Sequence, residues 1–233
     1  MIVYYFSNPG RLSEECLAEI VCLLPTQQQE IVAKMKNHRH RCEQVVAYLM
    51  LCHALEHNQT EINDSETTIK EFQNSQLTYQ HINNFQFSIF NSQLSPLPLW
   101  SFGDHGKPYI NNYEGIHFNI SHCNEAVAIA VSNRTIGIDI EGRRHFSDTL
   151  LQRAFNKEEQ DSVKNSDDPE WEFPRIWTRK EAWFKHTGTG ILMDHLTSTE
   201  SDATEAGCAI STLTVATDKE SGGPFWLSIA QKL

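Results

Sequence analysis

The chain has 233 residues, and 30 acidic side chains against 19 lysines and arginines give a formal net charge of −11. The apolar fraction of 39% is sufficient for a buried core and excludes wholesale disorder. The negative charge argues against a general affinity for nucleic acid, because a polyanion would be repelled.

Cysteine usage and apolar runs indicate the compartment. Six cysteines are scattered without a C-x-x-C pair, which favours free thiols in a reducing environment. Residues 2–6 (IVYYF) are too short for a secretory apolar segment and predict a first strand. No window approaches about 18 uninterrupted apolar residues, so no membrane span is expected. We therefore expect a cytoplasmic protein.

The N-terminal part of the chain predicts helices after the first strand. Apolar spacing predicts a helix from Ser13, a suitable N-cap, to Leu24. A second helical stretch runs from about residue 27 to 55 and contains the basic run KMKNHRHR at 34–41. That run is typical of either a solvated helix end or an anion site. Residues 57–84 are polar and predict a loop with some short structure.

Strands dominate the middle of the chain. FQFSIF at 85–90 alternates as a strand, and FGDHGKPYINN, which begins at Phe102, predicts an ordered loop. The segment 116–141 predicts three strands with turns near 123–124 and 133–134. Each half of the chain thus offers helical material beside antiparallel strands, which predicts an α+β fold.

The C-terminal part predicts three helices and two strands. A short helix is expected from Leu150 to Phe155, and a second begins at Asn156, where Glu159 completes a capping box. A longer helix is expected over about 173–187, with Pro174 in its first turn and Gly188 as its stop. Strands at 208–217 and 225–231 follow, separated by the turn DKESGG.

Two carboxylates share one face of the strand GIDIE at 137–141. Asp139 and Glu141 are two residues apart, while Ile138 and Ile140 project to the other face. Their repulsion calls for a nearby cation, and Mg²⁺ prefers such oxygen ligands. The alternative interpretation is an edge strand whose polar face is solvated.

The long helix offers a third carboxylate and a lysine. Trp177, Glu181 and Lys185 follow each other at intervals of four and form one stripe. Glu181 could complete a carboxylate triad, and Lys185 could neutralise a phosphate oxygen. The alternative is an ordinary surface ion pair on a helix whose apolar residues belong to the core.

Polar groups at a strand end suggest phosphate contacts. Ser121 and His122 are adjacent on the strand FNISH, so they point to opposite faces and make a poor nucleophile–base pair. They are better suited to hold a phosphate or pyrophosphate. Lys107, in the loop sequence GKP, is a further possible phosphate contact, with a solvated loop lysine as the alternative.

These elements in this order resemble a known family. GIDIE at 137–141 and WTRKEAWFK at 177–185 look like the paired signature of 4′-phosphopantetheinyl transferases of the surfactin-synthetase-activating, two-halves-in-one-chain type. The preceding GKP at 106–108 and FNISH at 118–122 are also similar to elements of that family. The four elements cover residues 106–188, about a third of the chain.

The resemblance implies a fold and a reaction. The fold would be two similar α+β halves, residues 1–134 and 135–233, related by a pseudo-two-fold axis, with coenzyme A between them. The reaction would be Mg²⁺-dependent transfer of the phosphopantetheine arm of coenzyme A to a serine of an apo acyl or peptidyl carrier protein, releasing 3′,5′-ADP. Such an enzyme is of the holo-[acyl-carrier-protein] synthase kind and serves lipid or secondary-metabolite biosynthesis.

The resemblance also implies roles for individual residues. Asp139, Glu141 and Glu181 would hold Mg²⁺, and Glu181 would help to deprotonate the attacking serine. Lys185 would stabilise charge on the pyrophosphate. The coenzyme A phosphates would be contacted by the side chains of Lys107, Ser121 and His122.

The N-terminal half is matched less closely. The family uses a basic group on the 3′-phosphate of coenzyme A, and Arg41, which opens the apolar helix, is our first candidate. The other candidates by charge are Lys34, Lys36 and Arg39. The stretch from about 58 to 99 is polar and longer than the family pattern, which suggests an insertion.

Two other functions fit some of these residues. A Mg²⁺-dependent nuclease or phosphodiesterase also uses clustered carboxylates with a lysine, although the acidic charge argues against it. A non-catalytic relative that binds carrier proteins would have no need for those carboxylates. For the transferase we expect a monomer without nucleic-acid or membrane partners, and we expect Arg143 and Arg144 to meet an acidic carrier protein.

Overall fold

The computed structural model describes residues 1–57, 62, 66–72, 97–103, 105–189, 199–215 and 223–233. The helices are α1 (Glu14–Leu23), α2 (Thr26–Ala33), α3 (His38–His57), α4 (Asp148–Ala154), α5 (Lys157–Asn165), α6 (Pro169–Thr187) and α7 (Thr199–Glu205). The strands are β1 (Ile2–Ser7), β2 (Thr68–Glu71), β3 (Trp100–Phe102), β4 (Pro108–Ile110), β5 (His117–His122), β6 (Ala126–Ser132), β7 (Ile136–Glu141), β8 (Cys208–Val215) and β9 (Phe225–Lys232). In the described part of the chain, no helix has the length and apolar character needed to cross a membrane.

The first sheet has the strand order β2-β1-β6-β5. Strand β1 pairs antiparallel with β6 and parallel with β2, a partner that the polar sequence around it did not indicate. Along β6, Val127, Ile129 and Val131 point towards the core that contains α3. The apolar character of α3 therefore has a simple cause, because this helix packs on the central strands β6 and β1 of the sheet.

The second sheet has the order β7-β9-β8 and packs on the other face of the first. The small side chains Ala126, Ala128 and Ala130 alternate with the large ones of β6 and meet Ile138 and Ile140 of β7. The two sheets thus share one core, and β7 lies at the edge of its own sheet, next to β5.

Helix α6 starts four residues earlier than the sequence predicted. Pro169 occupies the first turn, whereas Pro174 lies inside the helix. A proline has no N–H for the carbonyl four residues before it, and here that carbonyl, Glu170 O, accepts instead from the backbone N–H of Arg144 at 3.2 Å. A bond from outside the helix therefore allows the interior proline.

Several predicted helix ends are confirmed. Ser13 accepts from Cys16 N at 3.1 Å, Asn156 and Glu159 form the capping box, and Gly188 ends α6 with a φ of 73°. The α+β class is also confirmed, while the pseudo-two-fold relation between residues 1–134 and 135–233 stays a prediction.

Three expectations fall on parts of the chain outside the described residues. The predicted strand at 85–90 lies entirely outside the described residues, and so does the DKESGG turn except for its last residue. Of the polar stretch at 58–99, only residues 62, 66–72 and 97–99 are described.

Candidate active site

Strand β7 carries its two carboxylates on the face that α6 covers. Asp139 is 4% exposed and Glu141 is partly exposed, while the isoleucines between and before them enter the core. The shared face predicted from the alternation is therefore correct. Gly137 lies on the same face, and a Cβ at that position would be 2.0 Å from Ala182 O and 2.3 Å from His186 N. The backbone of α6 thus lies directly on β7, which brings its side chains to the carboxylates.

Asp139, Ser121 and Lys185 form one hydrogen-bonded cluster. Ser121 donates to Asp139 Oδ1 at 2.6 Å, and Lys185 Nζ donates to the same oxygen at 2.7 Å and to Ser121 Oγ at 2.8 Å. Ser121 and Asp139 are both buried, and Lys185 is partly buried. The three residues come from β5, β7 and α6, so this cluster lies where both sheets and the helix meet.

Strand β5 supplies acceptors to the free edge of β7. Asn119 Oδ1 accepts from Ile138 N at 3.0 Å, and Ser121 Oγ accepts from Ile140 N at 3.3 Å. These two side chains take the place of a neighbouring strand for N–H groups that a sheet edge would leave unpaired. The sequence FNISH therefore has a structural role in addition to the predicted phosphate contacts.

Electrostatics single out Glu141 and Glu181. Burial, followed by the negative charge of Asp139, raises the pKa of both carboxyl groups to about 7. Arg144 acts in the opposite direction on Glu141, since Nη1 donates to Oε1 at 3.0 Å. The site thus concentrates negative charge from three carboxylates that interact with one another, and it has Lys185 and Arg144 as counter-charges.

The donor set fits a divalent cation with oxygen ligands. Among the described residues, Asp139 Oδ2 is a buried oxygen with no hydrogen-bond partner. An unsatisfied buried carboxylate oxygen is costly, so its retention suggests a ligand role. Within the same residues, no group of three or more His, Cys, Asp or Glu side chains already has the spacing of a metal site. Metal binding would therefore require Glu141 or Glu181 to move towards Asp139.

Lys107 is held inside the protein by its ammonium group. Nζ donates to His186 O at 2.6 Å and to Ile136 O at 3.1 Å, and burial lowers the pKa of this lysine to about 8. The solvated loop lysine considered from the sequence is thus wrong. The phosphate contact implied by the resemblance stays a prediction.

A pocket of about 190 Å³ lies beside this lysine. Its lining includes Lys107, Asn119, Ile120, Glu181 and Lys185. The pocket therefore gives access to the two α6 residues that were predicted to carry chemistry.

His122 and Arg41 each pair with a glutamate that does not belong to the carboxylate cluster. His122 is exposed, with Nδ1 at 3.5 Å from Glu43 Oε2, and it lines a second pocket of about 230 Å³. Arg41 donates to both oxygens of Glu14 at 2.8 and 3.1 Å. Their predicted contacts with coenzyme A phosphates stay predictions.

The two arginines proposed to meet a carrier protein are paired within the chain. Arg143 forms an ion pair with Asp168. Arg144 pairs with Glu141, and its guanidinium carbon lies 5.9 and 6.0 Å from the ring centroids of Phe173 and Trp177. Arg144 thus holds Glu141 and packs on α6, and these contacts are evident only in the folded structure.

Comparison with known proteins shows that the segment carrying this site is similar to a known family. Residues 135–221 match the family model described as the 4′-phosphopantetheinyl transferase superfamily. The resemblance to phosphopantetheinyl transferases is confirmed. The matched segment contains β7 and α6, and therefore Asp139, Glu141, Glu181 and Lys185.

Individual phosphopantetheinyl transferases give the same result. The chain is 34% identical to 4′-phosphopantetheinyl transferase Sfp of Bacillus subtilis over 96 residues, which cover 40% of this chain and 43% of that protein. It is 35% identical to the gsp transferase of Aneurinibacillus migulanus over 99 residues, or 41% and 40% of the two chains. For the AcpT transferase of Salmonella typhimurium, 34% identity extends over 106 residues, 43% of this chain and 55% of that protein. The alignment thus spans less than half of the length of the Bacillus relative.

Proposed function

We propose that this protein transfers the 4′-phosphopantetheine arm of coenzyme A to a serine of an apo carrier protein. The observation that supports this most strongly is the buried cluster of Asp139, Ser121 and Lys185, because two of its members, Asp139 and Lys185, lie on the segment that matches the transferase family. The relatives are named 4′-phosphopantetheinyl transferases, and the similarity to them also supports a transferase activity of this kind.

The carboxylates would hold Mg²⁺, with Asp139 Oδ2 as the oxygen already available and Glu141 and Glu181 completing the set. The cation would offset negative charge on the pyrophosphate of coenzyme A. Lys185 would add a second positive charge at the same place, since its ammonium group already lies against Asp139. Phosphoryl transfer depends mainly on such positioning and charge neutralisation.

Glu181 would accept the proton of the attacking serine, directly or through water. Glu181 lines the pocket of about 190 Å³, which gives a substrate hydroxyl access to its carboxylate. The serine oxygen then forms a bond to the phosphorus that carries pantetheine. The bond from that phosphorus to the bridging oxygen breaks, and 3′,5′-ADP leaves with the electron pair. No covalent intermediate with the enzyme is required.

The remaining parts of the proposal follow from the family. Residues 1–134 and 135–233 would form two halves, with coenzyme A bound between them in contact with Ser121, His122 and Arg41. The partners would be coenzyme A and an acidic acyl or peptidyl carrier protein, and the enzyme would work as a cytoplasmic monomer of the holo-[acyl-carrier-protein] synthase kind.

A mass-spectrometric assay tests this function. The protein is mixed with coenzyme A, Mg²⁺ and a panel of apo carrier proteins from fatty acid, polyketide and peptide synthesis. We expect the mass of one phosphopantetheine group to appear on at least one carrier, and not on the same carrier with its serine replaced by alanine. Nuclease activity on DNA or RNA, or carrier binding without a mass gain, would instead support one of the two alternative functions.

A further inference from the structure

Lys107 connects the two elements that carry the proposed catalytic groups. Its ammonium group bridges Ile136 O, at the start of β7, and His186 O, near the end of α6. Ile136 is three residues before Asp139, and His186 directly follows Lys185. The lysine is therefore not itself in the carboxylate cluster, but it fixes the backbone on both sides of it.

The position at the end of α6 is favourable for a positive charge. The last carbonyls of a helix have no partner within the helix, and the helix dipole makes this end negative. Gly188, which ends the helix with a positive φ, leaves room for the lysine, because a Cβ there would be 3.2 Å from Lys107 Cδ. The end of α6 therefore accommodates the ammonium group of Lys107, since His186 O accepts its hydrogen bond and Gly188 has no side chain in its way.

The loop that carries Lys107 is itself fixed. Gly103 N donates to Lys107 O at 2.9 Å, and Gly106 N donates to Gly103 O at 2.9 Å. The lysine therefore extends from a closed turn, and its two bonds act between three segments that are far apart in the chain.

The position of α6 on β7 depends on the two hydrogen bonds of Lys107, because the helix and the strand are in direct contact. At Gly137 the two backbones touch without any intervening side chain. A displacement of α6 along β7 would move Glu181 and Lys185 away from Asp139, which lies on the same face two residues further on. A shift of about 1 Å at catalytic groups can lower a rate by about 100-fold.

We propose that Lys107 is a positioning residue that holds α6 in register with β7, so that Glu181 and Lys185 face Asp139. This inference rests on the proposed function, and it assigns the lysine a role other than the phosphate contact implied by the family resemblance. A phosphate contact would act on coenzyme A affinity, whereas positioning acts on turnover and on the cation site.

The test compares three variants with the wild type. Lys107→Met removes the charge and the donors, Lys107→Arg keeps both, and Lys164→Met is the control at an exposed lysine on α5. For Lys107→Met we expect kcat to fall by about 10-fold or more. The KM and the calorimetric Kd for coenzyme A should stay within about twofold of the wild-type values. Lys107→Arg should recover most of the wild-type kcat. A loss of coenzyme A affinity at unchanged kcat would overturn the proposal.

Cation binding gives a readout that does not depend on turnover. We measure the Kd of Mn²⁺ by electron paramagnetic resonance, with coenzyme A present, and expect it to rise by about fivefold or more in Lys107→Met and to stay unchanged in Lys164→Met. Equal Mn²⁺ affinity in wild type and Lys107→Met would overturn the positioning role. If wild type binds Mn²⁺ but modifies no carrier, the proposed function fails while this test still decides the inference.

A folding failure of the methionine variant would not end the test. Lys107→Gln keeps one amide donor for the carbonyls without the charge, so it should fold. We expect its kcat to be lower, and its Mn²⁺ Kd to be higher, than those of wild type and Lys107→Arg. A glutamine variant that is folded and equal to wild type in both measurements would overturn the proposal.

Discussion

Ser121 and Asp139 belong to strands of two different sheets and are joined by a 2.6 Å hydrogen bond. The same hydroxyl accepts from Lys185 and from the backbone of β7. One small side chain thus connects the two sheets and the long helix beside the carboxylate of Asp139. Ser121 is buried and bonded in this way, so the serine of the strand FNISH has a structural role that does not require it to act as a nucleophile.

Replacing Ser121 by alanine should cost about 2–3 kcal/mol of unfolding free energy, because the removed hydroxyl bonds to two charged groups. Ser132→Ala is the matched control, since this serine is equally buried in the same sheet and accepts from the backbone N–H of Arg134 at 3.1 Å. We expect the control to lose about 1 kcal/mol. Urea denaturation measures both, and equal losses would contradict the special role of Ser121.

Gly137→Ala should displace α6, because the new methyl group would lie 2.0 Å from a helix carbonyl. Overpacking of this kind costs about 1–3 kcal/mol or more. We expect a lower Tm together with at least a 10-fold lower kcat. Gly103→Ala is the control, since the nearest atom to its Cβ would be 3.7 Å away. A Gly137→Ala variant with normal activity would show that the helix position is not critical.

The raised carboxyl pKa values predict an unusual pH dependence of stability in the metal-free protein. Glu181 has a pKa of about 7 when folded and about 4.5 when unfolded, so the folded state binds more protons between these values. The stability that this group contributes is therefore fully present below about pH 4.5 and is lost as the pH rises through 7.

Thermal unfolding in a chelator, compared between wild type and Glu181→Gln, measures this contribution. The glutamine variant should lose less stability than wild type between pH 5 and about 7.5. Added Mg²⁺ should raise the wild-type Tm most at the upper end of that range, where the carboxylates are ionised. Identical pH profiles of the two proteins would refute the raised pKa.

Arg144→Ala should increase the Mg²⁺ concentration needed for half-maximal transfer at pH 7. Arg144 lowers the pKa of Glu141, so its removal leaves more of this carboxyl group protonated. The defect should become smaller at about pH 8.5, where the carboxyl group ionises without help. The neighbouring Arg143→Ala is the control, because Arg143 pairs with Asp168 and not with the carboxylate cluster. If the additional Mg²⁺ needed by Arg144→Ala were the same at pH 7 and at about pH 8.5, this explanation would be wrong.

Sequence and structure agree where the determining interactions are local. The Ser13 cap, the Asn156–Glu159 capping box and the Gly188 stop each depend on residues within one turn, so the sequence alone predicted them. The shared face of Asp139 and Glu141 follows from the period of a strand and was predicted in the same way.

Interactions between distant segments were not predictable from local patterns. The start of α6 depends on Arg144 N, which satisfies the carbonyl released by Pro174. Both hydrogen-bond partners of Lys107 lie in segments far along the chain. The local sequence therefore could not show whether this lysine is bonded internally, solvated or in contact with a phosphate. Arg144 likewise became part of the site only through its contacts in the fold.

The central claim is that the buried carboxylate of Asp139 serves phosphopantetheine transfer as a cation ligand. Its most direct test is the mass gain of an apo carrier protein with coenzyme A and Mg²⁺, measured for wild type and for Asp139→Asn, which preserves the shape of the side chain. We predict that wild type modifies the carrier only with the divalent cation present and that the folded asparagine variant modifies none. Equal modification of the carrier by both proteins would contradict the account.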